Sequence, residues 1–194
     1  MTLQKDKLVV LSGAGVSAES GLKTFRDADG LWEGHDVTKV ATPQAFEANP
    51  ELVLDFYNQR RKQLKTVYPN KAHELIAKLE QYYDVHIITQ NVDDLHERAG
   101  STNVMHLHGE LFKVRPKNNP DKIIEWKEDL VVGDVDENNI QLRPHVVWFG
   151  EAVPKMLEAL PLVEQADVLI VVGTSLQVYP ASTLIDYAKP NAKI

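Results

Sequence analysis

The sequence contains no cysteine in 194 residues. Disulfides, a cysteine nucleophile and a thiolate-bound metal are therefore excluded together. Long apolar runs are also missing, and none approaches the ~20 residues of a membrane span. The opening Met1 to Lys7 is polar and lacks the apolar core and small-residue cleavage site of a secretory signal. Positive charge is in short supply: 21 Lys and Arg stand against 28 Asp and Glu, a net charge of -7. The chain as a whole thus has no footprint for nucleic acid or an anionic membrane. Internal repeats and low-complexity segments are absent too. What remains, 43% hydrophobic and 25% charged, is ordinary globular composition with enough length for one sizeable core. The expectation is a soluble, cytoplasmic protein.

Several short apolar runs end abruptly in polar or small residues. Leu8-Val9-Val10-Leu11 precedes Ser12-Gly13, His86-Ile87-Ile88-Thr89 precedes Gln90-Asn91, and Val168 to Val172 precedes Gly173-Thr174-Ser175. Val104 to Leu107 before His108-Gly109, and Pro144 to Phe149 before Gly150, are weaker cases. Continuous apolar runs of this length read as strands buried on both faces. Helical spacing fills Glu51 to Lys65, the stretch after Asn70, Asp93 to Ala99 before Gly100, and Ala181 to Ala188 before Pro190. Strands alternating with helices predict an α/β fold with an open, parallel, Rossmann-like sheet. Ligands bind beyond the carboxyl ends of such strands, so the polar residues closing each run are the candidate site. Two stretches do not fit the sheet, 27–83 and 113–142. They are expected to form a smaller inserted helical and irregular lobe on a large lobe of 1–26, 84–112 and 143–194, all within one catalytic domain.

Gly13-Ala14-Gly15-Val16-Ser17-Ala18 fits G-x-G-x-x-G/A directly after a strand, where backbone N–H groups can approach a pyrophosphate. It departs from a dehydrogenase fingerprint, because Gly21 breaks the helix and no strand with a closing acidic residue follows. Asn91 and Asp93 could bond a ribose or a carboxamide, or Asp93 could cap a helix. His106 and His108 alternate onto one face, and a His at a strand end suits a general base. Gly173-Thr174-Ser175 suits phosphate or ribose contacts, or an N-cap. On the helix from Glu51, Val53, Tyr57, Arg60 and Leu64 share one stripe, while Arg61, Lys62 and Lys65 point elsewhere. An inward Arg60 needs an anionic partner, internal or from a ligand. Asp134, Asp136 and Asn138 mimic the start of an EF-hand, but Asn139 stands where Gly is required and His145 where the closing Glu should be. An acidic turn is expected there.

Taken together these segments resemble the sirtuins, NAD-dependent protein lysine deacylases. The matching residues run in order from Gly13 to Gly21 and Thr24-Phe25-Arg26, through Thr89 to His96 and His108-Gly109-Glu110-Leu111, to Arg143 to Glu151 and Gly173-Thr174-Ser175. The resemblance implies that Gly13, Ala14, Gly15, Ser17, Thr24, Phe25, Arg26, Gln90, Asn91, Asp93, Gly173, Thr174 and Ser175 contact NAD. It makes His108 the general base, with Asn91 and Asp93 orienting the ribose and the carboxamide. Val147, Trp148, Phe149 and Gly150 would hold an acylated lysine peptide by strand addition. Tyr57 and Arg60 match the Tyr-x-x-Arg pair of the subclass preferring succinyl and malonyl lysine, which supplies an anion for Arg60. Products would be free lysine, nicotinamide and O-acyl-ADP-ribose.

Two departures stand out. Typical members carry two C-x-x-C pairs that bind a structural zinc; here 113–142 has no cysteine, so no metal is expected and a packed hairpin around Trp126 should replace it. Members also continue, past the position of Ile194, into residues that contact the adenosine. An ADP-ribosyltransferase, an NAD hydrolase or a non-catalytic NAD-binding module are the competing expectations.

Overall fold

The computed structural model describes residues 5–23, 31–32 and 34–194, without the side chain of Leu31. Strands are β1 (Lys7–Ser12), β2 (Leu31–Trp32), β3 (His35–Asp36), β4 (Asp84–Thr89), β5 (Val104–His106), β6 (Gly109–Pro116), β7 (Ile124–Glu125), β8 (Leu142–Val146) and β9 (Val168–Val172). Helices are α1 (Val37–Val40), α2 (Pro43–Ala48), α3 (Pro50–Leu64), α4 (Lys71–Lys78), α5 (Leu95–Arg98) and α6 (Met156–Glu164), with 3-10 helices at Ala14–Ser20, Leu79–Gln81 and Ala181–Tyr187. The chain divides into two compact units. One comprises Met1–Gly21, Tyr68–His108 and Val153–Ile194; the other Leu22–Val67 and Gly109–Ala152.

The first unit holds a four-stranded sheet in the order β5-β4-β1-β9, parallel throughout. Alternation along β1 buries Val9 and Leu11 on one face and Leu8 and Val10 on the other, all at most 2% exposed. The first face packs on α6 and Ala181–Tyr187 through Ala159, Val163, Ala181 and Leu184. The second packs on α4 through Ile76 and on Val16. Each fully buried aliphatic side chain contributes roughly 1.5–3 kcal/mol. At Lys193 the chain pairs parallel with Val168 on the outer side of β9.

Two sequence expectations shift here. Residues 68–83 belong with the parallel sheet, because a parallel connection from β1 to β4 needs a crossover and α4 supplies it. Asn70 caps that helix, accepting from Ala72 N–H at 2.9 Å, while His73 Nδ1 accepts from Asn70 N–H. Conversely, 109–112 and 143–152 fall in the second unit. The strand expected at 144–149 forms as β8, antiparallel to β6 in a three-stranded sheet ordered β7-β6-β8.

In the second unit, Thr42 and Asn49 cap α2 and α3, each followed by Pro at the first helical position. β6 and β7 form an antiparallel pair beside Trp126, whose backbone N–H donates to Phe112 C=O at 2.7 Å, but the apolar group does not pack as a core: Ile123, Val131 and Val132 are about half exposed, while Leu130 is deeply buried. The segment is tied to α3 by polar groups instead. The Asn58 side chain donates to Leu130 C=O and accepts from Leu130 N–H, both at 2.9 Å. Arg61, 1% exposed, donates to Asn58 Oδ1, Leu111 C=O and Glu128 C=O at 2.6, 3.0 and 3.4 Å. Burial pulls its pKa down to about 10. The most inward arginine of α3 is thus Arg61, not Arg60 as the stripe suggested. Asp136 Oδ1 accepts from the N–H groups of Asn138 and Ile140, and the carboxylate pairs with Lys122, so it closes the acidic turn itself.

Candidate active site

Register decides where the chemistry gathers. Ser12 pairs with Thr89 and Val172, and Thr89 pairs with His106. The residues just beyond this row are Gly13-Ala14, Gln90-Asn91, Leu107-His108 and Gly173-Thr174. All four motifs therefore sit at one edge of the first unit's sheet, around β1, where the strand order turns back.

The glycines of the first motif serve close packing. Gly13 N–H donates to Val172 C=O at 3.2 Å and Gly15 N–H to Gly173 C=O at 2.8 Å. A Cβ on Gly13 or Gly15 would lie 2.9 Å from Gly173 O. With those amides used, Ala14 N–H is left without an acceptor among the described residues, and it is the group the loop can offer a phosphate. Gly173 has φ +64, and an added Cβ would lie 2.2 Å from Val16 N. Gly173→Ala therefore forces the loop off β9 as well as straining the backbone. We predict a loss of several kcal/mol of stability, together with NAD affinity. Gly100→Ala, with φ +103 but nothing within 4 Å, should cost only the ~1–3 kcal/mol of strain. Thermal melts and NAD titration of both variants check this; equal losses would refute it.

Ser17 is the hub beneath the site, 1% exposed. Its hydroxyl donates to Asp93 Oδ2 at 3.0 Å and accepts from Asn91 Nδ2 at 3.1 Å. His73 Nε2 lies 3.4 Å away. Because His73 Nδ1 accepts from Asn70 N–H, the neutral ring carries its proton on Nε2, facing Ser17. Burial lowers the His73 pKa and favours that neutral ring. Ser17, expected as a cofactor contact, is buried here and bonded to both Asn91 and Asp93. Asp93 Oδ1 accepts from Leu95 N–H at 3.1 Å, so helix capping and site geometry use the same carboxylate. Burial raises the Asp93 pKa against those two hydrogen bonds. Asn91 Oδ1 is buried without a partner among the described residues.

Next to this hub, Ser12 Oγ donates to Thr89 Oγ1 and contacts His96 Nε2, each at 2.9 Å. Burial pushes the His96 pKa down to about 4, so its ring is neutral. Neither His73 nor His96 was expected at the site. Their signal in sequence was a His three residues before Ile76 on the inward face of α4, and a His in α5 directly after buried Leu95.

Two histidines close the edge, tethered alike and poised differently. His106 Nδ1 faces Asn91 C=O and His108 Nδ1 faces Gln90 C=O, at 2.8 and 3.0 Å. A carbonyl only accepts, so both Nδ1 atoms carry protons. His106 Nε2 also meets an acceptor, Glu97 Oε1 at 2.8 Å, and this ring is held as a cation. No partner for His108 Nε2 is found among the described residues. Burial lowers the His108 pKa. His108 is therefore a neutral imidazole with an available Nε2, the form a general base requires. Gln90 Nε2 donates to Thr174 Oγ1 at 3.0 Å, joining two strand ends; Ser175 is exposed. Thr24, Phe25 and Arg26 lie outside the described residues.

The second unit carries the other candidate residues. Tyr57 is wholly buried among Trp32, Phe56 and Trp148. Arg60, half-buried one turn on, lies with its guanidinium 4.4 Å above the Phe56 ring. Beyond β8, Val147 to Gly150 turn sharply, Gly150 having φ +86. Arg143 grips Glu151 with both terminal nitrogens at 2.6 and 3.0 Å and donates to Val146 C=O. Phe149 is 45% exposed while its N–H donates to Ala41 C=O.

Comparison with known proteins shows the family. The Sir2 family profile matches residues 13–180. An NAD-dependent protein deacylase of Helicobacter pylori (strain ATCC 700392 / 26695) is 62% identical over 187 residues, covering 96% of this chain and 82% of that protein. A Vibrio cholerae protein of the same name is 47% identical, over 97% of this chain and 79% of its own length. Among solved structures, a Sir2 homologue in complex with NAD superposes with a TM-score of 0.86 at 45% identity, covering 97% of this chain and 76% of the other. A Sir2 complex with an inhibitor, 2′-O-acetyl-ADP-ribose and a deacetylated p53 peptide gives 0.77 at 32% identity, over 96% and 78%. The chain belongs to the Sir2 (sirtuin) family.

Proposed function

We propose that the chain is an NAD-dependent protein lysine deacylase of the cytoplasm that prefers succinyl and malonyl lysine and acts more weakly on acetyl lysine. The observation that carries the reaction is His108, tethered through Nδ1 and available at Nε2 beside Asn91 and Asp93. The residues fit NAD: among the described residues, Asn91 Oδ1 is a buried acceptor without a donor and Ala14 N–H at the glycine turn has no acceptor. When bound, NAD supplies the ribose carbon that receives the acyl oxygen and the nicotinamide that leaves. Ala14, Gln90, Thr174 and Ser175 bind it, while Asn91 and Asp93 orient the ribose and carboxamide. With NAD bound, His108 Nε2 would take a proton from a ribose hydroxyl, and with one water consumed the products would be nicotinamide, free lysine and O-acyl-ADP-ribose. Val147 to Gly150 hold the peptide, and Tyr57 and Arg60 receive the acyl carboxylate. The aromatic surroundings of Tyr57 favour an acyl chain, and the guanidinium favours a charged end.

The test is mass spectrometry of a succinyl-lysine peptide and its acetyl twin with protein and NAD. Acyl loss that requires NAD, releases nicotinamide and is at least tenfold faster for succinyl is the expected result. Nicotinamide release without peptide would support an NAD hydrolase or ADP-ribosyltransferase, and NAD binding without turnover a binding module.

A further inference from the structure

The Tyr57 hydroxyl is buried, yet among the described residues it only accepts a hydrogen bond and donates none. Trp148 Nε1 donates to it at 2.9 Å. An indole N–H is a donor only, so this bond fills a lone pair on the phenol oxygen. The phenol proton itself meets no acceptor among the described residues; the remaining contacts of Tyr57 are ring to ring, with Trp32, Phe56 and Trp148. Buried hydroxyl protons are nearly always donated to something, and burial pushes the phenol pKa upward, so the proton stays.

Trp148 cannot swing away. Its ring lies under the Arg143 guanidinium, 3.4 Å from centroid to Cζ, and beside Phe46 at 5.3 Å. Its backbone N–H donates to Glu151 Oε2 at 2.8 Å, the carboxylate that Arg143 grips. The direction of the indole N–H is thus set by the chain Glu151, Arg143 and Trp148. A phenol O–H has two in-plane orientations, and a donor occupying one side leaves the proton the other.

We propose that Trp148 is a specificity-determining positioning residue, whose indole N–H keeps the Tyr57 proton turned away from Trp148, to be donated to the carboxylate of an acidic acyl chain. This rests on the acyl preference proposed above. Without the indole donor the phenol proton can turn back, and the oxygen then presents a lone pair to the substrate anion.

The experiment measures kcat/KM on succinyl and acetyl peptides of one sequence, for wild type, Tyr57→Phe, Trp148→Phe and the double variant. The quantity read is the succinyl-to-acetyl ratio, because any loss of peptide grip at Trp148 lowers both substrates. Trp148→Phe should lower the ratio about tenfold, the scale of one hydrogen bond to a charged group, and should lower it no further in the Tyr57→Phe background. If Trp148→Phe does not fold, benzothienylalanine at 148 keeps the ring shape and removes only the N–H. A ratio unchanged by Trp148→Phe but lowered by Tyr57→Phe overturns the proposal and leaves the acyl preference standing. Effects that multiply in the double variant also overturn it. A wild type without succinyl preference, and with a ratio indifferent to Tyr57→Phe, overturns both.

Discussion

Replacing His108 with alanine should lower deacylation kcat by about 100-fold or more, the usual contribution of a positioned general base, while the fold and NAD binding survive. His108 is well placed for removal without collapse. Among the described residues its side chain makes one hydrogen bond, to Gln90 C=O, and the loss of one such bond costs about 1 kcal/mol. The neighbouring His106, although tethered to Asn91 in the same way, cannot replace it, because Glu97 holds its second nitrogen. The pH profile follows from the direction of the His108 shift. Burial lowers its pKa below the ~6.5 of an unperturbed imidazole, so the base form persists as pH falls through that value. Activity should then be lost on an acid limb lying below that value. Steady-state rates, calorimetric NAD titration and a thermal melt decide the matter. Turnover within tenfold of wild type would remove His108 from its role.

The strand ends were legible because parallel strands buried on both faces are written as unbroken apolar runs, and a run that stops in Gly, Gln or His marks the ligand edge directly. The polar hub under that edge was not legible. Ser17 meets Asp93 across 76 positions and Ser12 meets His96 across 84, and no local periodicity reports a partner so distant. Helix α6 was missed because Pro161 stands inside it, where a proline ordinarily ends a helix. The division into units follows long-range pairing: α4 is the crossover a parallel pair requires, while β6 lies between β7 and β8 in a separate sheet. On α3, Leu54, Asn58 and Arg61 repeat at four and three, as Val53, Tyr57 and Arg60 do. A polar Asn58 in the second row gives no apolar signal, although its side chain is buried against Leu130 and Arg61.

That pair of arginines gives the sharpest test of substrate choice. Arg60→Met should reduce desuccinylation by about 100-fold or more, since removing one partner of a close charge pair costs roughly 2–5 kcal/mol. Deacetylation should fall by no more than a few-fold, because the methionine keeps the apolar stem over Phe56 and an acetyl group carries no charge to lose. Arg61→Met, one residue on, should behave in the opposite manner. Its guanidinium donates to Asn58 and to the carbonyls of Leu111 and Glu128. Without it those buried acceptors lose their donor and the segment carrying Leu130 loses its hold on α3. Unsatisfied buried groups cost about 1–3 kcal/mol each, so this variant should melt several degrees lower and lose both activities in proportion. Measuring kcat/KM on the two peptides alongside Tm separates recognition of a charged acyl group from simple support of the second unit. Equal losses on both peptides from Arg60→Met, at an unchanged Tm, would show that Arg60 does not read the acyl charge.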